Sequence, residues 1–212
     1  SGSRRTMAVE HIAAPELALW IRHRAPGFGR YLVGITGSPG SGKSTLAAGL
    51  VAELGAVVVP MDGFHLANET LDAQGLRSVK GAPETFAATA FVAAMRQLAA
   101  ADTDVHLPDF DRVADEPRPG RITVRPSDDI VIVEGNYLLL DEAPWSELRD
   151  HFDAVAHLRV DPVLRVERLV RRHVRFGKTR DEASAFVRSS DEPNAVRVEA
   201  VRGRAHVHVD AN

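Results

Sequence analysis

The sequence predicts an α/β fold around a largely parallel sheet. Three observations carry that prediction. Short apolar runs that read as strands alternate with longer amphipathic stretches along most of the chain. The runs at 31–36, 56–61 and 130–133 are apolar nearly throughout, as strands covered on both faces are. Between the first two lies a Gly/Ser/Pro turn and then a helical stretch ended by Gly55, the layout of a strand–turn–helix crossover.

Taken in order, Val9, Ile12, Leu17, Trp20 and Ile21 recur at helical spacing and predict an amphipathic helix over 8–23, interrupted near Pro15 and broken by Ala25-Pro26-Gly27. Residues 31–36 form a buried strand, 37–42 a turn, 43–54 a helix, and 56–61 a second buried strand ended by Asp62-Gly63. Residues 65–85 are polar and irregular. An Ala-rich helix covers 86–101. Residues 105–108 are a short strand running into a charged, Pro-rich loop up to Gly120, and 121–125 alternate like an edge strand. A strongly apolar strand spans 130–133, a short helix 145–151 and another strand 154–160. Pro162 suits the first position of an Arg-rich helix reaching His173. A basic loop over 174–180, a helix over 182–188 and closing strands at 196–200 and 205–209 complete the chain.

Composition excludes several classes. The 212 residues contain no cysteine, which removes disulfides, thiolate catalysis and Cys-ligated metal centres. The 26 basic and 29 acidic residues leave a net charge of −3, a balance that does not ask for a nucleic-acid partner. No apolar run reaches the roughly 18 residues that span a bilayer, and no secretory signal opens the chain, so a cytoplasmic protein is expected. Ser1-Gly2-Ser3 reads as a cloning remnant within residues 1–6, with Met7 as the native start and 7–212 as one domain. Only Lys43, Lys80 and Lys178 are lysines in a chain otherwise rich in arginine, which singles them out.

Gly37-Ser38-Pro39-Gly40-Ser41-Gly42-Lys43-Ser44, followed by Thr45, matches G-x-x-x-x-G-K-[ST] between a predicted strand and a predicted helix. Glycines let backbone N–H groups turn inward around phosphate oxygens, and the following helix adds its positive end. Lys43, expected as a solvated loop lysine, reaches the β- and γ-phosphates, and the Ser44 hydroxyl ligates Mg²⁺. The fold is thus expected to be the three-layer α/β/α sandwich of P-loop nucleotide-binding proteins, with ATP and Mg²⁺ as cofactors. No guanine-reading N-K-x-D occurs, and nothing marks a mechanical ATPase. A small-molecule kinase leads. The rival is an NTP-binding regulatory module that hydrolyses slowly and has no acceptor.

Two acids complete the expected centre. Asp62 ends the strand after the cradle helix, where open α/β sheets bind their ligands. It can align an acceptor hydroxyl, take its proton late, or share in Mg²⁺ binding. Glu134 follows Ile130-Val131-Ile132-Val133, four apolar residues and then an acid, the pattern of a second nucleotide-binding signature whose carboxylate faces the metal.

The cradle, Met61-Asp62-Gly63-Phe64-His65-Leu66 and Val133-Glu134-Gly135-Asn136-Tyr137-Leu138-Leu139-Leu140 together resemble the phosphoribulokinase/uridine kinase family of P-loop kinases. Lys80-Gly81-Ala82-Pro83-Glu84-Thr85-Phe86 adds a similarity to bacterial pantothenate kinase. The resemblance spans 31 to about 200. It implies Mg²⁺-dependent transfer of the ATP γ-phosphate to a hydroxyl, with Asp62 at the catalytic-base position and Glu134 beside the metal. Leu107-Pro108-Asp109-Phe110-Asp111-Arg112 stands where the family has its acceptor-binding strand and loop. The expected acceptor pocket therefore draws on Asp62, His65, Lys80, Phe110, Asp111 and Arg112, within insertions at about 65–85 and 106–120. Uridine kinases carry Asp-Ser-Phe-Tyr where this chain has Asp62-Gly63-Phe64-His65, a departure in the acceptor region.

Arg165, Arg168, Arg171, Arg172 and Arg175 precede Gly177-Lys178. Helical spacing is expected to put Arg165, Arg168 and Arg172 on one face. This looks like the family's lid, at about 171–180, with Arg168 and Arg172 as the leading phosphate-binding candidates and Arg175 and Lys178 behind them. His206 and His208 share a face of a terminal strand and are expected as surface or packed histidines rather than metal ligands, and Asn194 as a turn cap or ligand contact. The expected partners are ATP and a small-molecule acceptor (a nucleoside, a sugar or a pantothenate-like alcohol), with no nucleic acid or membrane and a homodimer as an open alternative.

Overall fold

The computed structural model describes residues 9–211; the expected remnant at 1–6 and Met7 lie outside the described residues. Six parallel strands form the central sheet, in the order β1 (Glu10–Ala13), β8 (Val207–Asp210), β7 (Ala154–Arg159), β2 (Tyr31–Thr36), β6 (Ile130–Glu134), β3 (Val57–Pro60). The helices are α1 (Leu17–Arg24), α2 (Lys43–Leu54), α3 (Asn68–Ala73), α4 (Ala88–Ala100), α5 (Pro162–Arg175), α6 (Arg180–Phe186) and α7 (Glu192–Ala200).

Successive residues of a strand face opposite sides, so the apolar strands feed two cores. Leu32, Val131 and Val133 pack with Phe91, Met95, Leu98, Tyr137 and Trp145 on one face. Val33, Ile35 and Ile132 pack with Leu17, Ile21 and Leu50 on the other. Every residue of β2 is buried, which is why its sequence is a continuous apolar run rather than an alternation. Helices on both faces of a parallel sheet make the expected three-layer sandwich.

The register levels the strand ends that matter. Ile35 and Pro60 both stand opposite Glu134. The phosphate loop, the Asp62 turn and Glu134 therefore emerge side by side at the carboxyl edge. β4 (Val105–Asp111) and β5 (Glu116–Val124) form a separate antiparallel hairpin beside that edge. Its register shifts between Leu107 and Asp109, at Pro108, which has no N–H for the ladder.

Four expectations need correction. Glu10–Ala13 is a strand rather than the start of a helix, because parallel pairing with the edge of β8 satisfies its backbone; the helix begins only at Leu17. The supposed loop to Gly120 is mostly hairpin. Pro117 and Pro119 are tolerated in β5 because a two-stranded ribbon leaves one side of it unpaired. Residues 196–200 are helical, not a strand: Pro193 opens α7, and Asn194, Ala195 and Val198 are buried at helical spacing. The irregular stretch 65–85 contains the short helix α3.

Candidate active site

The phosphate loop runs from β2 into α2. Gly40 has φ +79° and lies against α5, where an added Cβ would meet Leu169 Cγ at 2.7 Å and the Arg165 carbonyl at 3.0 Å. The loop is thus sealed onto the arginine-bearing helix. Lys43 is buried, contrary to the solvated lysine expected, and its Nζ donates to the carbonyls of Gly37 (2.9 Å) and Ser38 (3.1 Å). Burial lowers its pKa to about 8, against the opposing pull of Glu134 and Asp62.

Opposite the lysine, the Ser44 hydroxyl donates to Glu134 Oε1 at 3.0 Å. Burial, and then the nearby Asp62 charge, push the Glu134 carboxyl up, while Lys43 and the Ser44 bond pull it down. A buried carboxylate under that penalty suits a cation. Ser44, Glu134 and Asp62 offer oxygen donors only, and no group of three or more His, Cys, Asp or Glu residues gathers among the described residues. Mg²⁺ keeps waters and takes one or two carboxylates plus substrate phosphates, so this donor set fits it.

Asp62 sits in a 3₁₀ turn, Met61–Phe64, directly after β3. It lines a cavity of about 580 Å³ together with Lys43, Glu134, His65, Phe110 and Arg112. Arg112 Nη2 is 3.4 Å from Asp62 Oδ2. The His65 ring lies 3.9 Å from Phe86 and 5.0 Å from Phe110, centroid to centroid.

Two expected acceptor residues have other work. Lys80 borders the cavity, but its Nζ donates to Asn68 Oδ1 (2.8 Å), the Asp115 carbonyl (2.6 Å) and Asp115 Oδ2 (2.7 Å). It clasps the 65–85 segment to the hairpin tip. Asp111 does not line the cavity. Its Oδ1 accepts from the Val113 and Ala114 amides at 3.0 Å each, which forms the hairpin turn and lowers its pKa. Neither Asp109 nor Asp111 lines the cavity, which the Asp-Phe-Asp spacing in sequence could not show.

The three arginines share one broad face of α5, with Arg168 about 60° round the helix from Arg165 and about 40° from Arg172, but they meet different partners along it. Arg165 is buried as a strut, 3.3 Å from the Pro39 carbonyl and ion-paired with Glu192. Arg168 lies over Gly42 and lines a second cavity of about 620 Å³, with Ser41, Thr45, Pro15, Leu158 and Ala211. Arg172 lines the Asp62 cavity, with Phe176 and Lys178 behind it. Arg175 lines neither cavity.

Sequence reasoning missed the residues that aim this group. Asp191 closes a π-helical turn, Val187–Asp191, ahead of α7. It is 2.8 Å from His173 Nε2 and 4.0 Å from Arg172 Nη2. Glu199, the penultimate residue of α7, accepts from Ser38 Oγ at 2.7 Å. Neither has a local sequence signal, since both partners lie on other elements. Asn194 is buried and lines the Asp62 cavity. His206 and His208 are packed as expected, bonded to the Val155 amide and the Arg202 carbonyl. No helix among the described residues is long and apolar enough to cross a membrane.

No protein-family model matches the chain. It is 39% identical over 176 residues, 80% of this chain and 73% of the relative, to the uncharacterized protein YggC of Escherichia coli K12. It is 37% identical over 172 residues, 76% of this chain and 73% of the relative, to a Schizosaccharomyces pombe protein provisionally named a uridine kinase. A crystal structure from Silicibacter sp. TM1040, provisionally described as a fructose transport system kinase, superposes with a TM-score of 0.86 at 38% identity, covering 95% of this chain and all of that one. Relatives named pantothenate kinase also match, although the chain spans only about half their length. Phosphate loop, strand-end acids and these likenesses agree: the chain belongs to the phosphoribulokinase/uridine kinase family of P-loop kinases.

Proposed function

We propose that this protein transfers the γ-phosphate of ATP to a hydroxyl of a small molecule held in the Asp62 cavity. One observation carries the reading. Lys43, Ser44, Glu134, Asp62 and Arg172 all border a single cavity, and its outer wall of His65, Phe110 and Arg112 has space for an acceptor. The second cavity, on the other flank of the phosphate loop, has apolar walls and Arg168, and suits the nucleoside of ATP, with the guanidinium over the base.

Phosphoryl transfer is mostly positioning and charge stabilisation. Lys43 binds the β- and γ-phosphates once they displace its bonds to Gly37 and Ser38. Arg172 meets the charge that develops on the transferring group. Asp62 orients the acceptor hydroxyl and takes its proton as the new bond forms. Ser44 and Glu134, with Asp62 as the alternative third donor, would hold Mg²⁺, which when bound neutralises phosphate charge. Phe176 and Lys178 line the same cavity and would limit water at the reacting atoms once the nucleotide is bound.

An ADP-release screen over nucleosides, sugars and pantothenate tests the reading, repeated with Asp62→Asn. The variant is expected to bind ATP normally and lose about 10²–10⁴-fold in transfer. A loss of Mg²⁺ affinity instead assigns Asp62 to the metal. Full transfer activity in Asp62→Asn removes the catalytic role. No ADP release with any acceptor favours the regulatory nucleotide-binding module.

A further inference from the structure

We propose that α7 braces the phosphate loop from outside and that Glu199 is a positioning residue for the triphosphate, acting through the Ser38 hydroxyl. This rests on the reading of the loop as a triphosphate cradle and adds what holds the cradle in shape.

Glu192 and Glu199 stand seven residues apart on α7. Seven residues make nearly two full turns, so both acids lie on one face, about 10 Å apart along the axis. Each holds one of two successive loop residues. Glu199 Oε1 accepts from Ser38 Oγ at 2.7 Å. Glu192 pairs with the buried Arg165 guanidinium, which donates to the Pro39 carbonyl at 3.3 Å.

Ser38 is buried, and its two polar groups are held from opposite sides. From inside the loop, its carbonyl accepts from Lys43 Nζ and from the Ser41 amide, at 3.1 Å each. From outside, its hydroxyl is held by Glu199. Gly37 has no room to shift: an added Cβ would meet the Leu158 carbonyl at 2.7 Å. Glu199 is itself fixed. Arg202 Nη1 donates to its Oε2 at 3.4 Å, and the buried His157 ring stands 3.3 Å from its Oε1.

The brace matters once nucleotide is bound. Phosphates that take the Lys43 ammonium leave the Gly37 and Ser38 carbonyls without it. A Ser38 peptide free to turn would then swing a loop N–H away from the phosphate oxygens. The hydroxyl-to-carboxylate bond is charge-assisted and resists that turn, so the loop amides stay aimed inward.

The test is a double-variant cycle on Ser38→Ala and Glu199→Ala. It is read by calorimetric binding of MgATP, which needs no acceptor, and by ADP-release kinetics. Either variant is expected to weaken MgATP binding by about tenfold. Either should lower kcat/KM for ATP by about 10²-fold, with the acceptor KM unchanged. The double variant should fall no more than about twofold below the worse single one, because both remove the same bond. Glu199→Gln, whose amide oxygen still accepts from Ser38, is expected to recover most of the MgATP affinity despite a lower melting temperature. Arg202→Ala leaves the Ser38 bond in place and should stay within about twofold of the natural protein. Ser38→Ala deletes only a hydroxyl, so the test stands even where Glu199→Ala does not fold. Natural MgATP affinity in Ser38→Ala, additive losses in the double variant, or affinities that follow melting temperature across the set overturn the proposal and leave the kinase reading intact. MgATP binding without ADP release from any acceptor sinks the kinase reading, and the binding cycle alone then decides the brace. Absence of MgATP binding by the natural protein sinks both.

Discussion

A β-carbon placed on Gly63 would stand 2.4 Å from the carbonyl oxygen of Pro108. The turn that carries Asp62 and the strand that carries Phe110 are in direct backbone contact, which only glycine permits. The residues that depart from the uridine kinase pattern thus act together: Gly63 admits the hairpin, and the hairpin brings Phe110 to His65 and Arg112 to Asp62.

Gly63→Ser should push the hairpin off the turn. Overpacking of this kind costs about 1–3 kcal/mol of stability. Displacement of the acceptor wall by about an ångström should lower kcat/KM for the acceptor by about 10²-fold. ATP affinity should hold, because the phosphate loop is untouched. Thermal melts and steady-state kinetics read both, and an unchanged acceptor KM would show that the contact does not shape the pocket.

Lys43 gives a pH dependence with a definite sign. Its pKa of about 8 means that the free protein loses this charge as pH rises past that value. Bound triphosphate favours the ammonium, so ATP binding above about pH 8 must take up a proton. Affinity should be flat below about pH 8 and fall by up to about tenfold per unit above it. Calorimetry in buffers of different ionisation enthalpy detects the uptake, and Lys43→Met, chosen because Lys43 is buried, should abolish it. Phosphotransfer in Lys43→Met should also be lost.

Asp191→Asn removes the charge that holds His173 and faces Arg172 across the lid. A drop in kcat of about tenfold with little change in the KM for ATP is expected, since Arg172 is aimed through this contact rather than bound by it. A variant with full kcat would make Asp191 a packing residue.

Glu199 ties α7 to the phosphate loop. Burial pushes its carboxyl up, but the His157 ring 3.3 Å away and the bonds from Ser38 and Arg202 outweigh this and lower the pKa to about 2 from 4.5. A lowered acid stabilises the fold above its ordinary pKa, and that contribution disappears as pH falls toward its folded pKa. Glu199→Gln should therefore melt below the natural protein at neutral pH, with the gap closing between 4.5 and about 2. A gap that does not narrow in acid would separate Glu199's role from its charge.

The local parts of the site were legible in the sequence. The phosphate cradle is contiguous, its glycines set its own backbone, and the apolar run before Glu134 needs a buried strand; the pairing of β2 with β6 then set Glu134 beside Lys43 and Ser44. The burial of β2, the start of α5 at Pro162 and the end of α2 at Gly55 followed for the same reason. What depended on distant partners did not follow. Glu10–Ala13 became a strand because β8 had a free edge, and 196–200 continues the helix opened at Pro193, with Val198 buried in the core and Glu199 bonded to Ser38. Asp111 turned into the hairpin bend while Asp62 faced the cavity, although both are acids beside an expected acceptor segment. The arginines of α5 share a broad helix face, but where that helix lies across the loop Arg165 is a strut, Arg168 lines one cavity and Arg172 the other. Sequence sets local conformation through backbone sterics and side-chain periodicity; which polar atom meets which ligand is decided by packing between elements far apart in the chain.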